Sequence, residues 1–148
     1  LTARGRYDEA LDIFKHLLAT DPNRPVTNWS LGSMWLRQGD YQQALDAFTR
    51  EPFRFLGFTG EAIAHPHLQQ REQATASLQT LISNMGESAA FQIASVYAQW
   101  GDADNAMSWL ERAYVIRDPG LQFVGVTFLF DPIEKDPRFQ AFLQKMNF

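Results

Sequence analysis

The chain has 148 residues, 45% of them hydrophobic and 14% aromatic, enough apolar material for one compact domain or one short array of repeats. Its formal net charge of -4, with no clustered Lys/Arg stripe, makes duplex nucleic acid and an anionic membrane surface poor partners. The lack of cysteine excludes disulfides, thiolate metal sites and thiol catalysis without deciding the compartment.

No apolar stretch approaches the ~18 residues that a membrane span needs. The nearest, Phe123 to Phe130, is short and contains Gly125 and Thr127, so membrane insertion is not expected. The chain opens at Leu1, without Met, without a signal-peptide pattern and partway through a structural unit, and reads as a segment of a longer protein. Its first stripe, Ala10, Phe14 and Leu17, predicts a helix stopped by Asp21-Pro22-Asn23; the helix that would pair with it would precede Leu1.

Gly5-Arg6-Tyr7-Asp8-Glu9-Ala10-Leu11 returns as Gly39-Asp40-Tyr41-Gln42-Gln43-Ala44-Leu45, and Phe14 as Phe48, at one offset of 34 residues (Gly5 to Gly39). In this second unit Leu31-Gly32 and Trp35 lie on a first helix, Gly39 makes the turn, and Ala44 and Phe48 lie on a second helix. Gly32 and Ala44 are small where two helices approach, and Gly39 follows a last helical turn, where a left-handed conformation is cheap only without a side chain.

Pro52 breaks the chain, after which Phe55, Phe58 and Ala62 recur at helical spacing up to His65-Pro66-His67. Ala74, Leu78 and Leu81 then mark the second helix of an eroded unit that lacks the turn glycine, with Gln69 near that place. The fourth unit is regular again: Ile93-Ala94 and Tyr97, Gly101 at the turn, Ala106, Leu110 and Ala113, closed by Asp118-Pro119. Gly39 to Gly101 falls six residues short of two periods, as a shortened middle unit requires.

In the tail, Leu121 to Phe130 is predicted as a short helix. Asp136-Pro137 reads as an N-cap with Pro at the first helical position, opening an amphipathic closing helix through Phe139, Phe142, Leu143 and Met146. A repeat array needs such an atypical end piece over its last apolar face.

Residues Leu1 to Gly120 resemble the tetratricopeptide repeat family, whose signature is this helix–turn–helix of about 34 residues. The resemblance implies an all-α fold of antiparallel helix pairs stacked as a right-handed superhelix with a C-terminal capping helix. The divisions expected are a half repeat at 1–24, repeats at about 25–54, 55–86 and 87–120, and a capping segment at 121–148. Arg117-Asp118-Pro119-Gly120-Leu121 and Phe130-Asp131-Pro132-Ile133-Glu134-Lys135-Asp136-Pro137-Arg138-Phe139 further resemble the C-terminal repeat regions of multidomain bacterial signalling proteins. There the repeats follow a winged-helix, nucleotide cyclase or protein kinase domain. One further Asp-Pro pair usual in that group is replaced here by Val126-Thr127. The resemblance implies a cytoplasmic location or, alternatively, the periplasmic part of a membrane-anchored regulator.

Catalytic chemistry is not evident. Asp102-Ala103-Asp104-Asn105 lacks the Gly and Glu of a calcium loop, having Met107 and Ala113 there, and its acids suit a helix cap. His65-Pro66-His67 offers zinc too few ligands, and His16 sits on another repeat. The Asp-Pro pairs suit turns or helix starts better than acid–base work. No Ser/His/Asp order or phosphate-cradling glycine loop is present. No cofactor or metal is expected, and the chain reads as a non-enzyme.

The expected function is therefore protein–protein interaction, as a partner-binding or sensory part of a signalling protein. In the family's register a concave groove for a protein or peptide is lined by Trp29, Ser33, Thr59, Ile63, Phe91 and Ser95, with Arg37, His67 and Gln99 toward one end. Trp29 and Phe91 would equally suit packing between repeats or beneath the tail. The Lys and Asn of a carboxylate clamp are absent from these positions. A second expectation is homo-oligomerisation through Tyr7, Leu11, Phe14 and Leu18, left open on the first helix. Small-molecule sensing is a third reading, with no polar constellation behind it.

Overall fold

A computed structural model describes residues 3–148; Leu1 and Thr2, which open the expected half repeat, lie outside the described residues. The described residues form eight α-helices and four short 3-10 turns, with no strand among them. The chain is all-α. It divides into two compact units, Leu1–Thr75 and Ala76–Phe148, with the boundary inside one helix.

The first unit holds α1 (Ala3–Thr20), α2 (Thr27–Gln38), α3 (Tyr41–Arg50), α4 (Arg54–Ala64), a 3-10 turn His65–Leu68 and the start of α5 (Arg71–Met85). Gly39 reverses the chain between α2 and α3 at φ +80°, and Asp40 caps α3 by accepting from Gln43 N–H. The place expected to lack its turn glycine is filled by Gln69, left-handed at φ +60°. The exposed Gln69 closes the 3-10 turn by donating its N–H to Pro66 O, so a non-glycine stands there at modest strain.

Phe48 is the centre of this unit. Its ring occupies the volume that side chains would take at both Gly32 on α2 and Gly60 on α4; a Cβ on Gly32 would stand 2.5 Å from it. Gly32 is thus small to admit an aromatic ring, a more specific demand than close helix approach. Trp29 lies against the same ring, with centroids 5.5 Å apart.

Glu51, only 1% exposed, locks the pair. Its carboxylate accepts from Val26 N–H (3.0 Å), Trp29 N–H (2.9 Å) and Phe53 N–H (3.0 Å). An acid just past the end of α3 thereby satisfies donors at the start of α2, where the helix dipole favours negative charge. Val26 is bent into the left-handed region at φ 69°, rare for a β-branched residue, and its N–H is one of the three donors. Arg54 serves the opposite pole, donating to the carbonyls of Phe48, Thr49 and Glu51 and pairing with Glu61 at 2.7 Å.

The second unit holds the rest of α5, a 3-10 turn Gly86–Ala89, α6 (Ala90–Gln99), α7 (Ala103–Ile116), 3-10 turns Pro119–Phe123 and Phe128–Ile133, and α8 (Pro137–Lys145). The α6–α7 pair repeats the devices of α2–α3. Gly101 turns at φ +77°, Asp102 caps α7 through Asn105 N–H, and the buried Asp118 past α7 accepts from Phe91 N–H (3.1 Å) at the start of α6. At the positions of Gly32 and Phe48 this unit has Ala94 and Leu110, both fully buried, so a larger floor meets a smaller plug.

The single helix predicted over Leu121 to Phe130 is instead two 3-10 turns. Thr127, extended at ψ 145°, interrupts it and caps the second turn through Leu129 N–H. Leu121 and Val124 reach the core from the first turn, and Leu129, Phe130 and Ile133 from the second. α8 starts as expected, with Asp136 accepting from Arg138 N–H and Pro137 in the first turn. Hydrogen bonds from Arg138 hold the Asp136 carboxyl down to about 2. Phe139 and Phe142 bury, while Arg138–Asp104 (2.7 Å) and Lys145–Glu111 (2.9 Å) tie α8 to α7.

Gly32→Ala is expected to destabilise the chain by about 1–3 kcal/mol through overpacking against Phe48. Adding Phe48→Leu should recover part of that loss in the denaturant midpoint, because the second unit uses the Ala/Leu pair; a double mutant less stable than the sum of the singles would refute this. Glu51→Ala, leaving three donors without their acceptor, should cost about 2–3 kcal/mol by the same measurement.

Candidate partner-binding surfaces

The expected groove residues fall into two sets, one in each unit. In the second unit, Phe91, Ser95 and Gln99 stand at four-residue spacing on one face of α6, where a helix presents neighbours. This face is not open. The Phe130 ring meets Phe91 edge-on at 5.4 Å, and Gly120 lies so close to the Phe91 ring that a Cβ there would be 2.5 Å from it. Gln99 Nε2 donates to the carbonyl of Leu129 at 2.9 Å. Ser95 is buried, its hydroxyl turned back to the carbonyl of Gln92 at 2.7 Å. The tail thus lies along α6 as an internal ligand, through aromatic contact with Phe91 and hydrogen bonds from the Gln99 side chain to the Phe128 and Leu129 carbonyls.

In the first unit, Trp29, Ser33 and Arg37 repeat that pattern on α2. Each stands 62 residues before its counterpart, the separation of Gly39 and Gly101. Trp29 and Ser33 are half-buried and Arg37 is exposed. The Ser33 hydroxyl oxygen is buried with no hydrogen-bond partner among the described residues. Thr59 and Ile63 do not line an open surface: both are fully buried on α4, which packs on α2 and α3, and the Thr59 hydroxyl donates to Phe55 O at 2.6 Å. His67 stacks on Tyr41 at 4.1 Å with rings 7° apart, and burial pushes its pKa below the usual imidazole value.

A cavity of about 1060 Å³ adjoins the Trp29–Ser33–Arg37 face between α1 and α2, lined by Tyr7, Leu11 and Phe14 on one side and Met34, Trp35 and Arg37 on the other. Leu11, expected to lie open, is buried, because α1 turns that residue toward α2. Tyr7 meets Trp35 edge-on at 6.4 Å, and its hydroxyl is raised in pKa by burial and then by the nearby Asp40 and Asp8 charges. Leu18 is half-buried and does not line the cavity.

The described residues contain no group of three or more His, Cys, Asp or Glu able to hold a metal ion. His65 Nδ1 is instead 2.8 Å from the Gln70 side-chain oxygen. No helix among the described residues is long and apolar enough to cross a membrane. Sequence reasoning missed the roles of Glu51 and Asp118, although both stand in acid–Pro dipeptides just past a second helix.

Paired helices joined at a glycine turn over small floor residues define the class: a helical-repeat fold. More particularly, the chain carries tetratricopeptide repeats. Residues 1–50 and 87–116 match sequence models described as Tetratricopeptide repeat. Two solved structures are similar over nearly the whole chain. "Crystal structure of MamA" is 22% identical, covering 97% of this chain and 91% of that one at a TM-score of 0.50. "Crystal structure of MamA protein" is 19% identical, with 97% and 86% covered and the same TM-score. At these identities the likeness concerns the fold alone. None of the curated proteins compared matches the chain.

Phe91→Ala is expected to lower stability by about 3–5 kcal/mol, because Phe91 anchors the tail within the core. Gln99→Ala should cost less and raise hydrogen exchange at residues 128–133 more than at α2. Uniform exchange in the two regions would contradict the internal-ligand description.

Proposed function

We propose that the chain is a protein–protein interaction scaffold whose partner lies along the Trp29–Ser33–Arg37 face of α2. The observation that carries this reading is the α6 face. At equivalent positions Phe91 and Gln99 already hold a polypeptide segment by aromatic contact and a backbone hydrogen bond. Trp29 offers a larger aromatic surface, Ser33 a small residue beside it, and Arg37 a guanidinium suited to backbone carbonyls or an acidic side chain.

The wider setting we propose is the C-terminal partner-binding part of a bacterial signalling protein. Its support is the resemblance of residues 117–121 and 130–139 to such regions. The scaffold then works by holding a partner near whatever output the longer protein carries, with binding rather than bond-making as its chemistry.

A photo-crosslinking residue placed at Arg37 in cells should give an adduct with a different protein, whereas one at the exposed Asp46 on α3 should not. Trp29→Ala should reduce that adduct roughly tenfold, as loss of an aromatic anchor does, while helical circular dichroism persists. Equal labelling at both sites, or a yield indifferent to Trp29, would count against the proposal.

A further inference from the structure

Glu51 and Asp118 perform the same task in the two units, so side chains found around one and not the other serve a different end. Each carboxylate accepts from the N–H two residues beyond it, Phe53 (3.0 Å) or Gly120 (2.8 Å), and from a first-helix N–H, Trp29 or Phe91. Glu51 takes Val26 N–H as well. These bonds use backbone donors only, and in the second unit the matching side chains are small or polar. Gly120 stands for Phe53, and Ser88, 62 residues on, for Val26. In the first unit Val26 and Phe53 are 41% and 44% exposed. Their N–H groups share one oxygen of Glu51, so the two residues stand side by side at one corner.

Val26 also carries strain. A β-branched residue at φ 69° is costly where glycine is relaxed, and strain that the hydrogen bond itself does not require points to a use for the side chain. The apolar corner continues through the exposed Pro25 and Pro52 to Phe55, whose ring stacks on Phe53 at 6.0 Å. Arg24 and Arg50 adjoin it in sequence; both are exposed, and neither forms an ion pair among the described residues. In the second unit the counterpart of Arg50 is Arg112, laid over the Trp109 ring at 4.5 Å. Across residues 22–28 and 47–60 the one acid is Glu51, already engaged by backbone donors.

We propose that this corner, with Val26, Phe53 and Phe55 between Arg24 and Arg50, docks an acidic segment of a different protein that carries a large apolar side chain. That side chain lies over Val26 and the Phe53–Phe55 rings, and carboxylates before and after it meet the two guanidinium groups. A second copy using the same corner is disfavoured, because a two-fold contact sets the arginines of one chain against those of the other. An anionic membrane surface recruits clusters of about four to eight basic residues, which this corner of a chain of net charge -4 does not offer. The corner shares no side chain with the Trp29–Ser33–Arg37 face.

Selection of a displayed random-octapeptide library on the whole chain tests the proposal. Peptides that combine an aromatic or leucine with two or more acids should be enriched, and should bind V26G/F53G roughly tenfold more weakly than the wild type. Val26→Gly alone should weaken binding while the denaturant midpoint stays level or rises, since glycine takes φ 69° without strain. R24E/R50E should turn the selection toward basic peptides. Enrichment of neutral or basic peptides on the wild type, or acidic peptides that bind all variants equally, would overturn the proposal. So would a Val26→Gly variant that loses stability and keeps binding, a dimer dependent on Phe53, or binding to phosphatidylserine vesicles dependent on Phe53. Every variant keeps Trp29, Ser33 and Arg37, so labelling from Arg37 succeeds or fails separately.

Discussion

A carboxylate set just past the second helix of a pair and buried against the start of the first is the constraint on which each unit depends. Two antiparallel helices joined by a short turn are tied at one end only, and their far ends are free to splay. Glu51 ties the far end of α2–α3 with two backbone hydrogen bonds, from Val26 and Trp29, and Asp118 holds that of α6–α7 through Phe91 N–H. The carboxylate answers donors that a helix cannot satisfy internally, and the dipole at that end favours its charge. The following Pro ends the second helix where the acid is needed.

Within that frame, packing is decided by how a small floor residue and a large plug share volume. Phe48 on Gly32 and Gly60 is one solution; the Ala94 and Leu110 positions of the second unit are another. The choice reaches the surface. The Phe48 ring carries Trp29 against it and leaves the indole half-buried, whereas Phe91 in the second unit disappears beneath Phe130. One helical register thus yields a candidate binding face on α2 and an occupied face on α6.

The occupied face also explains the irregular tail. A regular helix over 121–130 would present one stripe, but the chain must bury Leu121, Val124, Leu129, Phe130 and Ile133 while offering the Leu129 carbonyl to Gln99. Two 3-10 turns separated by an extended Thr127 meet those demands. Only then does the Asp136-capped α8 close the unit, with Phe139 stacked on Phe130 at 5.5 Å.

The sequence by itself determined the helices, their turns and the tetratricopeptide character, because these rest on local physics. Periodic apolar residues, left-handed Gly39 and Gly101, and the caps at Asp40, Asp102 and Asp136 act within a few residues of where they are written. Only the tertiary structure decided which groove positions are open. The burial of Thr59, Ile63, Phe91 and Ser95 depends on how whole helices and the tail pack together, and nothing in a local sequence pattern distinguishes a concave residue left bare from one covered by its own tail. Glu51 and Asp118 illustrate the same limit: as letters they are turn acids, and their role as helix locks exists only once residues 22 to 27 positions upstream fold back onto them.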